Sequence, residues 1–308
     1  MDSAFHEFDL IQWIRKQCPG SAADLVGIGD DTAILQPLMG NELLLATDML
    51  MEGTHFTFPP ATPELAGRKA LAVNLSDVAA MAGTPHSALI SLALPKTRGP
   101  EFAKSVMQGV IDLAEEFQVQ IIGGDTNSWD GPLVINVAVI GVSPSSRSIQ
   151  RSGATPGDWL FVTGALGGSI DSHHLTFTPR IKEAAVLRET VTIKSMIDIS
   201  DGLASDLQHI LKESQVGAIV NAAAIPISQR VPLDQSPADR LQHALNDGED
   251  FELLFTVSPE EGQLLVNQNL LNNTLTHIGT IRGEQGAFLQ DANGLLTPLL
   301  SCGWKHQF

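Results

Sequence analysis

The chain contains no tyrosine, and aromatic residues of every kind make up only 5% of it, so its core must be built from aliphatic side chains. Basic residues are scarce as well: 18 Lys and Arg stand against 35 Asp and Glu, a net charge of −17. A nucleic-acid surface needs a basic stripe, and that composition argues against one. Cysteine is limited to Cys18 and Cys302, which form no CxxC and cannot make a disulfide framework. The longest apolar stretch, Leu133–Val142, is broken by Asn136 and is far too short to span a bilayer. The first ten residues, MDSAFHEFDL, are acidic and lack the basic-then-apolar pattern of a secretion signal, so a soluble cytoplasmic protein is expected. The phosphate-cradling pattern GxxxxGK[ST] occurs nowhere, so any nucleotide must be held by another device. Anionic ligands would also be repelled by so acidic a chain unless divalent cations bridge carboxylate and phosphate.

What is present is a globular, loop-rich chain of 308 residues with 27 Gly and 17 Pro, long enough for two domains. Phe5, Phe8, Ile11 and Ile14 recur at helical spacing, and Pro19-Gly20 ends that segment. Glu42–Asp48 reads as a buried strand. Thr62-Pro63 offers an N-cap and a first-turn proline for a helix running to about Ala82, closed by Gly83. Strands are expected over Ala88–Leu94, Val119–Gly123 and Leu133–Val142, with a helix over Glu101–Phe117. The stretch 143–158, SPSSRSIQRSGATPGD, has the composition of a linker and places a domain boundary near residue 145, giving domains 1–145 and 146–308. Beyond it, Asp158–Thr163, Thr192–Ile199, Phe251–Val257, His277–Ile281 and Ala287–Gln290 read as strands. Gly202–Glu213 and Pro259–Leu271 read as helices. Strands and helices alternate in both halves, so the fold class is α/β or α+β.

The chemistry-bearing residues are aspartates in small-residue settings: Asp30 and Asp31 in GIGDD, Asp48 in ATDML, Asp77 in NLSDV, Asp125 in GGDTN, and Asp198 and Asp201 in IDISDG. Several fall where a strand is expected to end, the edge of an α/β sheet where ligands bind. Carboxylate oxygens suit magnesium, which keeps some waters and accepts phosphate oxygens as further ligands. A turn or a helix cap explains each Asp-Gly or Asp-Asp pair taken alone. Asp77 differs, because it lies inside a small apolar helix, shares a face with Asn74, and needs a partner if buried.

Seven motifs in order, GIGDD, TDMLMEGTHF, ALAVNLSDVAAMAGTP, IIGGDT, RSGATPGDWLFVTG, MIDISDGL and GEDFELLF, resemble the thiamine-monophosphate kinase family from about Gly27 to Trp304. The resemblance implies a two-domain fold of the aminoimidazole ribonucleotide synthetase-like superfamily, its N-terminal domain binding ATP and magnesium and dimerising through its sheet. It also implies transfer of a phosphoryl group from ATP to thiamine monophosphate with several Mg2+ ions. Carried over by motif, Asp31, Thr47, Asp48, Asp77, Asp125, Asp198 and Asp201 resemble the metal ligands. Gly124, Asp125, Arg151 and Ser200 fall at positions that resemble ATP contacts, and His55, Glu249 and Trp304 at positions that resemble substrate contacts.

The chain departs from the family at Leu166-Gly167-Gly168-Ser169, where Gly-Asp-Ser is usual, and in the shortened stretch before Ser195. His173-His174 there is spaced too closely for an ordinary two-histidine metal site and reads as structural. The selenophosphate and hydrogenase-maturation relatives depend on cysteines in contexts that Cys18 and the His306-Gln307-Phe308 end do not reproduce. The synthetase itself carries a Gly-Val-Gly-Thr-Lys run where this chain has Met49–His55. An acceptor phosphate is already ionised near neutral pH, so the implied transfer requires alignment and charge neutralisation and no strong general base.

Overall fold

A computed structural model describes residues 42–143, 148–268, 271 and 274–300, together with 13, 14, 16, 17, 25, 26, 34 and 35. Asp31, Trp304, Cys18 and Cys302 lie outside the described residues, as does most of the expected first helix, of which 13, 14, 16 and 17 are helical. The chain divides into two compact units, Met1–Val78 with Gly83–Arg147, and Ser148–Phe308 with Ala79–Ala82.

In the first unit two short strands, β1 (Leu25–Val26) and β2 (Ile34–Leu35), pair antiparallel. The main sheet has four strands: β3 (Glu42–Met51), β4 (Thr84–Pro95), β5 (Gln120–Trp129) and β6 (Val134–Ser143), in the order β3-β6-β4-β5. Only the β4–β5 pair is parallel. Along β6 burial alternates strictly, with Ile135, Val137 and Val139 on the inner face, as a half-covered sheet requires. Helices α1 (Pro63–Ala80) and α2 (Gly99–Glu116) form the covering layer. The Oγ1 of Thr62 accepts from Leu65 N at 3.3 Å, the expected cap at the start of α1. The two helices approach so closely that a Cβ on Gly67 would sit 1.9 Å from the Val106 carbonyl oxygen, and one on Gly109 1.8 Å from that of Glu64.

Two expectations for this unit need correction. Strand β3 is not buried: Leu44 and Leu50 face inward, whereas Leu43, Leu45 and Met49 are 55%, 75% and 55% exposed. A continuous apolar run reads as buried on both sides, but β3 is an edge strand and, among the described residues, α1 and α2 cover only one of its faces. Strand β5 also runs six residues beyond Gly123, through Gly124, Asp125 and Asn127 to Trp129. Pairing with β4 overrides the weak strand propensity of that stretch.

The second unit holds a seven-stranded sheet. Its strands are β7 (Trp159–Thr163), β8 (Ser195–Asp198), β9 (Gly217–Asn221), β10 (Leu253–Val257), β11 (Leu275–Arg282), β12 (Gly286–Gln290) and β13 (Leu296–Pro298), in the order β13-β12-β9-β11-β7-β10-β8. All its pairs are antiparallel except β12–β9. Helices flank both faces. On one, Leu160, Val162, Ile197 and Leu254 pack with Leu203, Leu207 and Ile210 of α4 (Leu203–Ser214) and Ala244 and Leu245 of α5 (Pro237–Asn246). On the other, Phe161, Met196 and Phe255 pack with Ala184 and Leu187 of α3 (Ile181–Thr190) and Leu265 of α6 (Pro259–Gln268). The helices α3 and α5 and the strands β9 and β13 have no counterpart in the expected element order. Among the described residues, no helix is long and apolar enough to cross a membrane.

Candidate active site

In the first unit the pleat of β3 sorts the expected ligands. Asp48 pairs in register with Val137, Val137 with Ile90, and Ile90 with Gly124, all on the helix-covered face. Asp48 there reaches Asp77 of α1 in a side-chain hydrogen bond and lies close to His55. Its carboxyl is raised above the ordinary aspartate value by burial, against the opposing pull of the Asp77 hydrogen bond. Thr47, one residue away, faces the opposite side, where its hydroxyl donates to the Val137 carbonyl at 3.0 Å. Asp125 shares that opposite side: it pairs with Ser91, which pairs with Asn136. The Nδ2 of Asn127 donates to its Oδ2 at 2.9 Å. The structure therefore brings Asp48, Asp77 and His55 together and does not bring the Thr47 and Asp125 side chains to them. Gly124 has a steric reason of its own, since a Cβ there would lie 1.8 Å from the Ile90 carbonyl oxygen.

His55 sits in the turn that follows β3. Its amide donates to the Met51 carbonyl at 2.9 Å, and its Nδ1 accepts from the Met51 amide at 3.0 Å. A ring nitrogen that accepts carries no proton, so the imidazole is neutral and its proton lies on Nε2. Glu52 of the same turn is fixed by Arg98 at 2.5 Å and by the Leu133 amide at 3.0 Å. The Arg98 guanidinium lies over the rings of Phe58 and Phe102.

In the second unit Asp198 ends β8, and the loop Ile199-Ser200-Asp201-Gly202 leads into α4. Asp198 is buried and Asp201 is half-buried. A third carboxylate, Asp206 in the first turn of α4, accepts from the Asp201 amide at 3.0 Å. Burial, and then the charges of Asp198 and Asp201, push Asp206 up to about 8. Its signal was present in the sequence: Asp206 lies on the same apolar stripe as Leu203, Leu207 and Ile210, the oddity that marked Asp77.

The Ser200 carbonyl accepts from the Glu249 amide at 2.7 Å, which brings Glu249 beside the aspartates. Glu249 and Phe251 have φ of +58° and +51°, a left-handed conformation costly for non-glycine residues and typical of functional sites. His174, expected to be structural, has its Nδ1 3.4 Å from the Glu249 carboxylate, and Phe177 stacks on Phe251 with ring centroids 4.1 Å apart. Asp250 accepts from the Gly167 amide at 3.0 and 3.1 Å and from the Ser169 hydroxyl at 2.5 Å, so it holds the departing glycine segment in place. Arg151 is exposed, and its carbonyl accepts from Ser214 Oγ at 3.3 Å. His209 on α4 is lowered by burial and then by the Arg151 guanidinium.

The donor chemistry fits a hard divalent cation. Oxygen ligands predominate, and two hydrogen-bonded carboxylates, Asp48 and Asp77, need either a shared proton or a cation between them. Asn74, one turn before Asp77, is wholly buried. Its Nδ2 donates to the Ala70 carbonyl at 3.0 Å, and its Oδ1 has no hydrogen-bond partner among the described residues. Among the described residues, no three His, Cys, Asp or Glu side chains gather closely enough to form a metal shell by themselves.

Two family models match the chain: the AIR synthase related protein N-terminal domain over residues 29–143 and the corresponding C-terminal domain over residues 134–287. The thiamine-monophosphate kinase of Rhodopirellula baltica is 38% identical over 292 residues, 91% of each chain. The crystal structure of the thiamine-monophosphate kinase from Stenotrophomonas maltophilia superposes with a TM-score of 0.83 at 31% identity, covering 96% of this chain and 99% of that one. AaThiL complexed with AMPPCP and TMP superposes over the whole of both chains with a TM-score of 0.75 at 28% identity. On a match of this length and identity, the chain belongs to the thiamine-monophosphate kinase family.

Proposed function

We propose that the protein transfers the γ-phosphoryl group of ATP to the phosphate of thiamine monophosphate, in line and without a covalent enzyme intermediate. A phosphate oxygen of the acceptor bonds to the γ-phosphorus, the bond from that phosphorus to the β-phosphate bridging oxygen breaks, and thiamine diphosphate and ADP leave. The observation that carries this reading is the match to thiamine-monophosphate kinases across nine-tenths of the chain.

Magnesium, when bound, would neutralise phosphate charge that a chain of net charge −17 otherwise repels. Asp48 and Asp77 in the first unit, and Asp198 and Asp201 in the second, are the carboxylates whose settings support a ligand role. Asp31, Thr47 and Asp125 join them on the motif alone. His55, neutral and protonated on Nε2, would donate to an acceptor phosphate oxygen and is not set up as a base. Glu249 supplies an anionic group at the strained loop, suited to the cationic thiazolium of thiamine. Gly124, Arg151 and Ser200 are the candidate ATP contacts, and Trp304 a candidate substrate contact.

The exposed apolar row Leu43, Leu45 and Met49 on β3 supports a homodimer formed through the first unit's sheet. Incubation with ATP, magnesium and thiamine monophosphate should yield thiamine diphosphate and ADP in equal amounts. Folded protein that makes neither would overturn the assignment.

A further inference from the structure

Lys69 of α1 is wholly buried, as are its chain neighbours Ala66, Ala70, Leu71, Ala72 and Val73. An ammonium in such surroundings is tolerated only where hydrogen bonds compensate for its lost hydration. Methionine or leucine would fill the same space on an apolar helix without that penalty. Its neighbour Arg68 is in a different position, half-buried and within electrostatic reach of Glu116.

The Nζ of Lys69 donates to the main-chain carbonyl of His55 at 2.8 Å. That residue is tied at two further points, its amide to the Met51 carbonyl and its Nδ1 to the Met51 amide. The turn is closed by Gly53 N donating to the Phe56 carbonyl at 2.8 Å and by Thr54 N donating to the Met51 carbonyl at 3.1 Å. The Met51 bonds set the tautomer and the local ring angle. The Lys69 bond ties the His55 backbone to α1, the helix that carries Asp77. That tie helps to fix the separation of ring and carboxylate.

The geometry points to Lys69 as a positioning residue for the acceptor phosphate: it pins the His55 turn to α1, the helix that carries Asp77, and so fixes where the His55 ring stands. This rests on the reading of His55 as a substrate contact given above. Being fully buried, Lys69 touches neither substrate, and its effect runs through His55.

The test is a double-mutant cycle. Lys69→Met keeps the volume and removes the donor. It should raise KM for thiamine monophosphate roughly tenfold or more, with KM for ATP changed less than about twofold. In a His55→Ala background the same substitution should change KM for thiamine monophosphate by less than about twofold, because the route through the ring is already gone. Equal losses in both backgrounds, or an unchanged KM in folded Lys69→Met, overturn the proposal. If Lys69→Met does not fold, Lys69→Leu, which also removes the donor, carries the same comparison with the same two outcomes. Wild-type turnover tests the functional reading separately. A folded wild type that makes no thiamine diphosphate sinks that reading, whereas normal wild-type turnover with an unresponsive Lys69 sinks only the role assigned to the lysine.

Discussion

The side chains of Asp48, on the inner face of β3, and Asp77, on α1, share a hydrogen bond. Two carboxylates can do so only if one is protonated, so the pair is a place where a divalent cation would displace a proton and relieve like-charge repulsion. Asp77→Asn preserves the hydrogen bond and removes one charge. It should fold normally, lose the rise in melting temperature that magnesium gives the wild type, and lose at least about a hundredfold in turnover. Thermal scans with and without magnesium, run beside an ADP assay, check this. A variant with the full magnesium response would remove Asp77 from the ligand set.

The outer face of β3 gives a second expectation. Leu45 is 75% exposed and stands between Leu43 and Met49 on an edge strand. A second copy of the chain would cover that row, and a buried lysine there would oppose the covering. Leu45→Lys should weaken self-association at least about a hundredfold, read by sedimentation velocity across a concentration series, and leave the monomer folded. A wild type that sediments as a monomer at every concentration would defeat the dimer.

The parts of this architecture that the sequence made legible are those set by local chemistry. Thr62-Pro63 announced the start of α1 because capping depends on two adjacent residues, and β6 announced itself by strict alternation. The face of β3 that stays exposed was illegible, since ELLLATD has the same apolar content whether one side or both are covered. Asp125 was expected at a strand end, yet β5 continues past it because β4 is there to pair with, a fact no local window contains. Within the site, Asp48 and Asp77 were found as residue types, but their meeting depends on which face of a strand meets which face of a helix. Lys69, Asp206 and Asp250 went unremarked for the same reason: a charge in sequence looks solvated until the fold buries it.

Glu252 supplies a stability prediction. Its carboxylate is buried and is gripped by Arg180, Nε to Oε2 at 2.7 Å and Nη2 to Oε1 at 2.5 Å, while the Thr163 hydroxyl donates to Oε2 at 2.6 Å. Removing the arginine leaves an anion in the core of the second unit with one hydroxyl for company. Arg180→Met should destabilise the protein by about 3–5 kcal/mol, measured by urea unfolding. The double variant Arg180→Met, Glu252→Gln should recover a large part of that loss, because the uncompensated charge is gone. A loss no larger than that of an exposed ion pair, about 1 kcal/mol or less, would show that the pair is not buried in solution.

Asp250 sets a pH dependence. Burial is the main cause that pushes its carboxyl up to about 7, the Ser169 and Gly167 hydrogen bonds opposing the shift and the Glu252 charge adding to it. Its folded-state value lies above its unfolded one, so the folded protein holds this proton more tightly. The group's contribution is fully present below about pH 4, falls as pH rises, and is lost above about pH 7. Asn at this position keeps an acceptor oxygen for the Gly167 amide and the Ser169 hydroxyl and does not titrate. The stability of Asp250→Asn relative to the wild type should therefore improve between pH 4 and pH 7.5, by at most about 4 kcal/mol. Any constant cost of the substitution shifts the two curves without changing that difference in slope. Asp48 and Asp206, also raised by burial, titrate in both proteins and cancel in the comparison. Urea unfolding across the range, in the presence of a chelator, reads the difference. Parallel curves would mean that Asp250 is ionised throughout and that the glycine segment at 166–169 is held by a charged carboxylate.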